Sequence, residues 1–425
     1  VGAPPRVPPY NCFSALFAVI LSSRSLFVSF VLFVVTYSVF PVLSVVQSLL
    51  MRILIPTVDY PPIEGGISSV AVGVSRALAD MGHDVTIIAP WFEGMDEFDA
   101  NEPATVIRFR GYHLGWFRFF PLLFKTWPHI RNHDLLLAIN IAYGGIIGRW
   151  ANIPFITFGY AYEFLKFRHT PIIGGMLRKA YNNSAHVVAI SNYTRDNLEQ
   201  FGVSSSKITT IFPGAPTAIP HAQEHLDNVR RKYVLGDGPL ILSVGRLIPR
   251  KNHVALVRAM PAVLEAVPNA SLLIVGRGPQ VAEISRTAND LNVRDHVLLP
   301  GYVPDEELFA LYDLCRVFAL PALDATGGQV EGFGLVFAEA AAYGKPVVAG
   351  RSGGVSDAVI DGETGFVIDA HDETALADAL IRLLTDDALA NRMGEAGRNR
   401  VRDELNWKTF TERILDKGYL PLARD

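Results

Sequence analysis

Two glutamates eight positions apart, Glu331 and Glu339, bracket the run Gly332-Phe333-Gly334-Leu335-Val336-Phe337-Ala338. The glycines let the backbone bend and let a ligand approach closely. A helix opening at Phe333-Gly334-Leu335 offers unpaired N–H groups that suit a phosphate. Glu331 then precedes the helix and Glu339 sits about a turn and a half into it, so the carboxylates reach different parts of one ligand. The pairing suggests a sugar-nucleotide site, although taken alone it also fits a solvated helix face.

A second chemical feature lies upstream. Arg246 closes the run Ser243-Val-Gly-Arg246, and Lys251 follows in Arg250-Lys251-Asn252. Cations at the end of a buried parallel strand, facing a helix start, suit a diphosphate. The elements that must position these residues are legible around them. Leu240 to Val244 reads as a buried strand and His253 to Val267 as a helix. Ala338 to Ala342 lets the signature helix pack closely, Gly344 stops it, and an apolar strand follows from Pro346 to Ala349. Earlier, Arg52 to Pro56, the loop holding Gly65-Gly66, the helical pattern Ile67 to Met81 and the run Val85 to Ala89 read as a βαβ unit. No G-x-G-x-x-G spacing occurs there, so the loop is either a ligand site outside the strand ends or a turn needing positive φ.

Together with Val347-Val348-Ala349-Gly350-Arg351-Ser352-Gly353-Gly354, these stretches resemble the signature of the large retaining glycosyltransferase family with the GT-B fold, over roughly residues 51–420. The resemblance implies an α/β architecture of two doubly wound Rossmann-like domains facing a central cleft. Residues 51–214 form the acceptor-side domain, 215–405 the nucleotide-sugar-binding domain, and a last helix, 406–425, crosses back to the first. It further implies that Arg246 and Lys251 hold the donor phosphates, that Glu339 binds the ribose hydroxyls, and that Glu331 contacts and orients the sugar. Gly66, Val303, Phe333, Gly334 and Leu335 complete the donor site, Val303 lying after Gly301 by the nucleotide base. One departure stands out. Many family members carry His-Gly-x-Glu six residues after a proline, whereas Pro154 here is followed by Tyr160-Ala161-Tyr162-Glu163. In one register Tyr160 takes the histidine position, Ala161 the glycine position, and only Glu163 agrees; a second register would place Phe158-Gly159 there instead, and in either the histidine is absent. Tyr160 and Glu163 are therefore the acceptor-side candidates.

At 425 residues the chain has room for two domains, and 38 basic against 42 acidic residues give no reason to expect a nucleic-acid partner. Cys12 and Cys315, the two cysteines, offer neither a disulfide framework nor a cysteine metal site, which suits a reducing, cytoplasmic setting. No Asp-x-Asp occurs, so fixed cations rather than a divalent metal are expected on the diphosphate, and no cofactor is expected beyond the nucleoside-diphosphate sugar as co-substrate. Leu26 to Leu50 carries no charge and is long enough to cross a bilayer. Residues 1–50 are read either as an extension upstream of a natural start at Met51 or as a membrane anchor, with a cleaved signal peptide as the third option.

Between Glu102 and Asp134 lie Arg108, Arg110, Arg118, Lys125 and Arg131, interleaved with Trp116, Phe117, Phe119, Phe120, Phe124 and Trp127. That mixture fits docking on an anionic membrane carrying a glycan or lipid-linked acceptor, on the inner face. It equally fits a buried helix pair whose arginines are solvated at one edge. The expected activity is transfer of a sugar to an acceptor hydroxyl with retention, as in the synthesis of glycolipids, exopolysaccharides or cell-surface glycans. A nucleotide-sugar epimerase of the same architecture and a non-catalytic nucleotide-sugar-binding protein are the alternatives.

Overall fold

A computed structural model describes residues 50–325 and 329–418. The expectations for residues 1–49, for Thr326-Gly327-Gly328 in the approach to Glu331, and for 419–425 lie outside these residues. The remainder builds two parallel sheets within one compact unit that begins at Arg52. Among the described residues, no helix is long and apolar enough to cross a membrane.

The first sheet has seven strands, β1 (Arg52–Pro56), β2 (Asp84–Pro90), β3 (Thr105–Phe109), β4 (Leu135–Ala138), β5 (Phe155–Gly159), β6 (His186–Ala189) and β7 (Ile208–Thr210). Their spatial order is β3-β2-β1-β4-β5-β6-β7. The second has six, β8 (Leu240–Val244), β9 (Ser271–Val275), β10 (Val297–Gly301), β11 (Val317–Leu320), β12 (Val347–Gly350) and β13 (Gly365–Ile368), in the order β10-β9-β8-β11-β12-β13. Every pairing is parallel. Helices cover both faces of such sheets, so the central strands are apolar along their whole length: β4, β8 and β11 are buried at every residue.

Each sheet reverses its winding once, between β1 and β4 and between β8 and β11. The loops leaving these strand pairs part from each other, and the crevice between them is where open α/β sheets bind ligands. The chain therefore holds two such crevices, one per sheet.

The connection between the sheets is double. Ala215 N donates to Leu405 O at 2.8 Å and Ala215 bridges to Asn406, so the outgoing and returning segments run side by side. The returning helix, Trp407–Gly418, then packs on the Gly66–Asp80 helix of the first half. Gly73 makes that contact possible: a β-carbon there would fall 2.2 Å from the Trp407 ring. Phe410, fully buried, meets Phe158 of β5 at 6.3 Å between ring centroids.

Candidate active site

Lys251 and Glu331 come from opposite sides of the second crevice. After β8 the chain makes a 3₁₀ turn, Pro249–Lys251, and Asn252 adopts the left-handed conformation (φ 54°) before the His253–Ala266 helix. This reversal turns the Lys251 side chain inward, and its Nζ donates to Glu331 Oε2 at 2.5 Å. Arg250 Nη1 donates to the same oxygen at 3.1 Å. Both partners are nearly enclosed, with side-chain exposures of 10% for Lys251 and 13% for Glu331. Burial alone would raise the Glu331 carboxyl, but the two cations outweigh it and hold it below its ordinary value. Beneath them His253 is buried against Ser243 Oγ at 3.1 Å, and burial, then Lys251, push its imidazole down to about 3. A neutral His253 leaves the positive charge around Glu331 to Lys251 and Arg250.

The glycines after β12 hold Glu331 by its backbone. Gly354 N donates to Glu331 O at 2.8 Å, and Glu331 N donates to Ser352 Oγ at 3.2 Å. A β-carbon at Gly353 would stand 2.2 Å from Glu331 O, and one at Gly354 would stand 2.1 Å from Gly332 O. Gly334 has φ 92°, and the Leu335–Ala342 helix that follows carries no side-chain cap, which leaves first-turn N–H groups for a ligand. Glu339, on that helix, points elsewhere and accepts from Tyr312 Oη at 2.8 Å. Burial raises its carboxyl above the ordinary range.

The other sequence candidates divide. Phe333 is buried and stacks on Phe212 at 5.8 Å, while Leu335 reaches across the cleft to Gly66. Val303 is buried in the second core, beside the exposed Tyr302, whose ring lies 5.1 Å from the Arg277 guanidinium. Arg246 sits on the same loop as Lys251 but is exposed, with no side-chain hydrogen bond or ion pair among the described residues. The cation that joins Lys251 on Glu331 is Arg250. Sequence reasoning quoted it without a role; its adjacency to Lys251 ahead of an Asn at a helix start was the available signal.

The first half meets this site through Tyr160. A β-carbon at Gly332 would lie 2.8 Å from Tyr160 O, so only glycine permits the approach. Close by, Asn192 N and Nδ2 donate to Asp357 at 2.6 and 2.7 Å, fastening the two halves. The Tyr160 hydroxyl is buried without a hydrogen-bond partner. Glu163 Oε1 accepts from Tyr160 N at 2.7 Å and from Tyr181 Oη at 3.2 Å, and burial pushes its carboxyl up to about 7. Glu163 thus braces the turn rather than facing the cleft.

Ala161 at the centre of that turn has φ 87° and ψ −66°, the strained form of the γ-turn. Such a conformation costs an L-residue about 1–3 kcal/mol, against roughly 0.5–1 kcal/mol of extra unfolded-state entropy for glycine. Ala161→Gly is therefore expected to stabilise the protein by about 1 kcal/mol, read as a higher urea midpoint at unchanged slope. A lower midpoint would show the turn to be unstrained.

The basic and aromatic stretch separates into two layers, which corrects the reading of its arginines as one surface. Arg108 is buried against Asp99, with Nη2 to Oδ1 at 2.6 Å, because it lies on β3 facing the Asp96–Asn101 helix. Arg118 turns inward to Tyr143 Oη at 3.0 Å. Most of the aromatics point outward instead: Phe117 is 70% and Phe124 72% exposed, and Trp116, Phe120 and Trp127 are exposed with them, while Phe119 packs against the core. The Phe119–Thr126 helix between them still buries Leu122 and Thr126 in the core.

Comparison with known proteins agrees with this geometry. A model of the family described as glycosyl transferases group 1 matches residues 227–400, and one described as glycosyltransferase family 4 matches residues 64–219. A GDP-mannose-dependent alpha-(1-6)-phosphatidylinositol monomannoside mannosyltransferase of Mycolicibacterium smegmatis is 33% identical over 85% of this chain and 97% of its own length. The chain is a group 1 glycosyltransferase. The protein of the same description from Mycobacterium tuberculosis is 32% identical to this hexosyltransferase over 86% of the chain and 97% of its own length. Among solved structures, sucrose-phosphate synthase from Thermosynechococcus elongatus superposes on the transferase with a TM-score of 0.72, at 24% identity, covering 88% of the transferase and all of itself. The GT-B fold is shared throughout.

Proposed function

We propose that this enzyme transfers mannose from GDP-mannose to a mannosylated phosphatidylinositol, with retention at the anomeric carbon. The observation that carries this reading is the identity to the mycobacterial phosphatidylinositol monomannoside mannosyltransferases along nearly their whole length. The site supports it chemically. Lys251, Arg250 and Arg246 neutralise the departing diphosphate as fixed cations, in place of a divalent metal. The first-turn amides at Phe333, Gly334 and Leu335 add to them. Glu339 takes the ribose hydroxyls and Glu331 orients the sugar. As the bond from the anomeric carbon to the diphosphate breaks, the acceptor oxygen attacks the same face and its proton passes to the leaving phosphate.

A lipid acceptor needs the enzyme at a membrane. The exposed Trp116, Phe117, Phe120, Phe124 and Trp127, with the exposed Lys125 and Arg131, form the docking surface. Aromatic rings insert at headgroup depth while the cations meet anionic lipid.

Purified enzyme is expected to convert phosphatidylinositol monomannoside and GDP-mannose into an α-linked dimannoside, with full activity in EDTA. It is also expected to sediment with anionic vesicles at low salt. Phe117→Ser with Phe124→Ser should release it from vesicles while leaving GDP binding intact. A β-linked product would overturn retention, hydrolysis without transfer would overturn the acceptor class, and unchanged sedimentation of the double variant would overturn the docking surface.

A further inference from the structure

Behind Glu339 stands a second layer of side chains. Tyr312, on the helix Asp305–Leu314, is fully buried and donates through Oη to Glu339 Oε2 at 2.8 Å. Among the described residues this is the one hydrogen bond that the Glu339 carboxylate accepts. Burial, then the charge of Glu339, hold the Tyr312 hydroxyl well above its ordinary value, so it stays a donor. Four influences decide the charge of Glu339 itself. Burial raises its carboxyl, the Tyr312 hydrogen bond lowers it, Asp305 at the head of the same helix raises it, and Lys251 lowers it. The raising side prevails, and Tyr312 is the stronger of the two influences that oppose it.

The same tyrosine is held by a ladder of rings. Tyr312 stacks on Tyr343 at 6.2 Å between centroids and 14° between planes, and Tyr343 stacks on His221 at 5.9 Å and 19°. His221 lies on the outgoing connection between the sheets, and its Nδ1 stands 3.2 Å from Asp313 Oδ2, one residue beyond Tyr312. From beyond the far end of the signature helix, Lys345 Nζ donates to Asp313 O at 2.7 Å. The helix carrying Tyr312 and the helix carrying Glu339 are thus stapled at two levels.

We propose that Tyr312 is the positioning residue for the carboxylate that takes the ribose diol, and that the ladder from Tyr343 to His221 fixes Tyr312. A carboxylate grips two adjacent hydroxyls when it is ionised and its plane is set beforehand. The Tyr312 hydroxyl serves both needs, and it leaves Oε1 and a lone pair of Oε2 for the diol. The proposal deepens the transferase reading and rests on it for the role of Glu339.

The test is calorimetric, on full-length enzyme with GDP and with 2′,3′-dideoxy-GDP, which lacks both ribose hydroxyls. Wild type is expected to prefer GDP by about 10- to 100-fold, the range of charge-assisted hydrogen bonds. Tyr312→Phe keeps the ring and removes the donor; it should cut that preference about 10-fold while dideoxy-GDP binds as before. Its GDP affinity should also begin to fall at a higher pH than in wild type, because the carboxyl has lost the stronger influence that keeps it ionised. The dideoxy titration should show no such shift. In turnover the loss should fall on KM for GDP-mannose rather than on kcat. Tyr343→Leu, which removes the ring on which Tyr312 rests, should reproduce part of the loss. In the Glu339→Gln background Tyr312→Phe should cost nothing further, since the two act as one unit. An undiminished preference in Tyr312→Phe, or a full further loss in the double variant, overturns the positioning role and leaves the ribose assignment standing. Equal binding of GDP and dideoxy-GDP by wild type overturns the ribose assignment of Glu339 instead.

Discussion

Replacing Lys251 with alanine is expected to lower kcat/KM about 10²- to 10³-fold, the usual effect of removing one preorganised donor to a departing anion. The same substitution leaves Glu331 buried with only Arg250 opposite, at 3.1 Å. Breaking an enclosed ion pair costs about 3–5 kcal/mol, and the remaining cation places this case at the lower end. Calorimetry distinguishes the phosphate role: affinity for GDP should fall steeply while affinity for guanosine holds. Equal losses for the two ligands would show that Lys251 does not face the diphosphate. The acid limb supplies a second readout. A carboxyl held below its ordinary value contributes stability above its unfolded pKa, about 4.3, and that contribution is lost as pH falls through the lower folded value. Wild type should therefore lose stability below about pH 4, and Lys251→Ala should show a shallower fall.

Glu331→Gln is expected to act in the opposite sense on binding. Transfer should drop by about 10³ or more, because the sugar loses the group that orients it. GDP affinity should stay the same or rise, since Lys251 and Arg250 no longer share their charge with a carboxylate. Glu339→Gln, by contrast, replaces the carboxylate that Tyr312 holds in place with a neutral amide, a weaker acceptor for two ribose hydroxyls, and should weaken GDP. If Glu331→Gln loses as much GDP affinity as Lys251→Ala, the division between the two sides of the crevice is wrong.

The strands were legible because doubly covered parallel sheets demand uninterrupted apolar runs, and Leu240–Val244 or Val347–Gly350 can be little else. The signature glutamates and Lys251 were legible because their loops carry glycine and charge together at strand ends. Arg250 was not assigned, since the direction of a side chain in a three-residue 3₁₀ turn depends on the left-handed Asn252 behind it. Asp59 and Asn140 were missed for a different reason. They stand 81 positions apart in sequence, and the adjacency of β1 and β4, not local pattern, brings Asn140 Nδ2 to 3.4 Å from Asp59 Oδ2. The arginines of the aromatic stretch were counted as one surface because composition records which residues are present and not which way they face. Arg108 and Arg118 both face inward.

The Trp407 ring filling the space left by Gly73 has a consequence for biosynthesis. The first half of the enzyme emerges from the ribosome with the groove along Gly66–Asp80 still uncovered, because its filler is encoded nearly two hundred codons after β7. At about 5–20 residues per second that interval is roughly 10–40 s. During it, an apolar strip that ends up sealed is open to chaperones or to another nascent chain. Completion of the first half is thus deferred until Trp407 has been made, and damage to the Trp407–Gly418 helix will register first as a defect in the half that was made earlier.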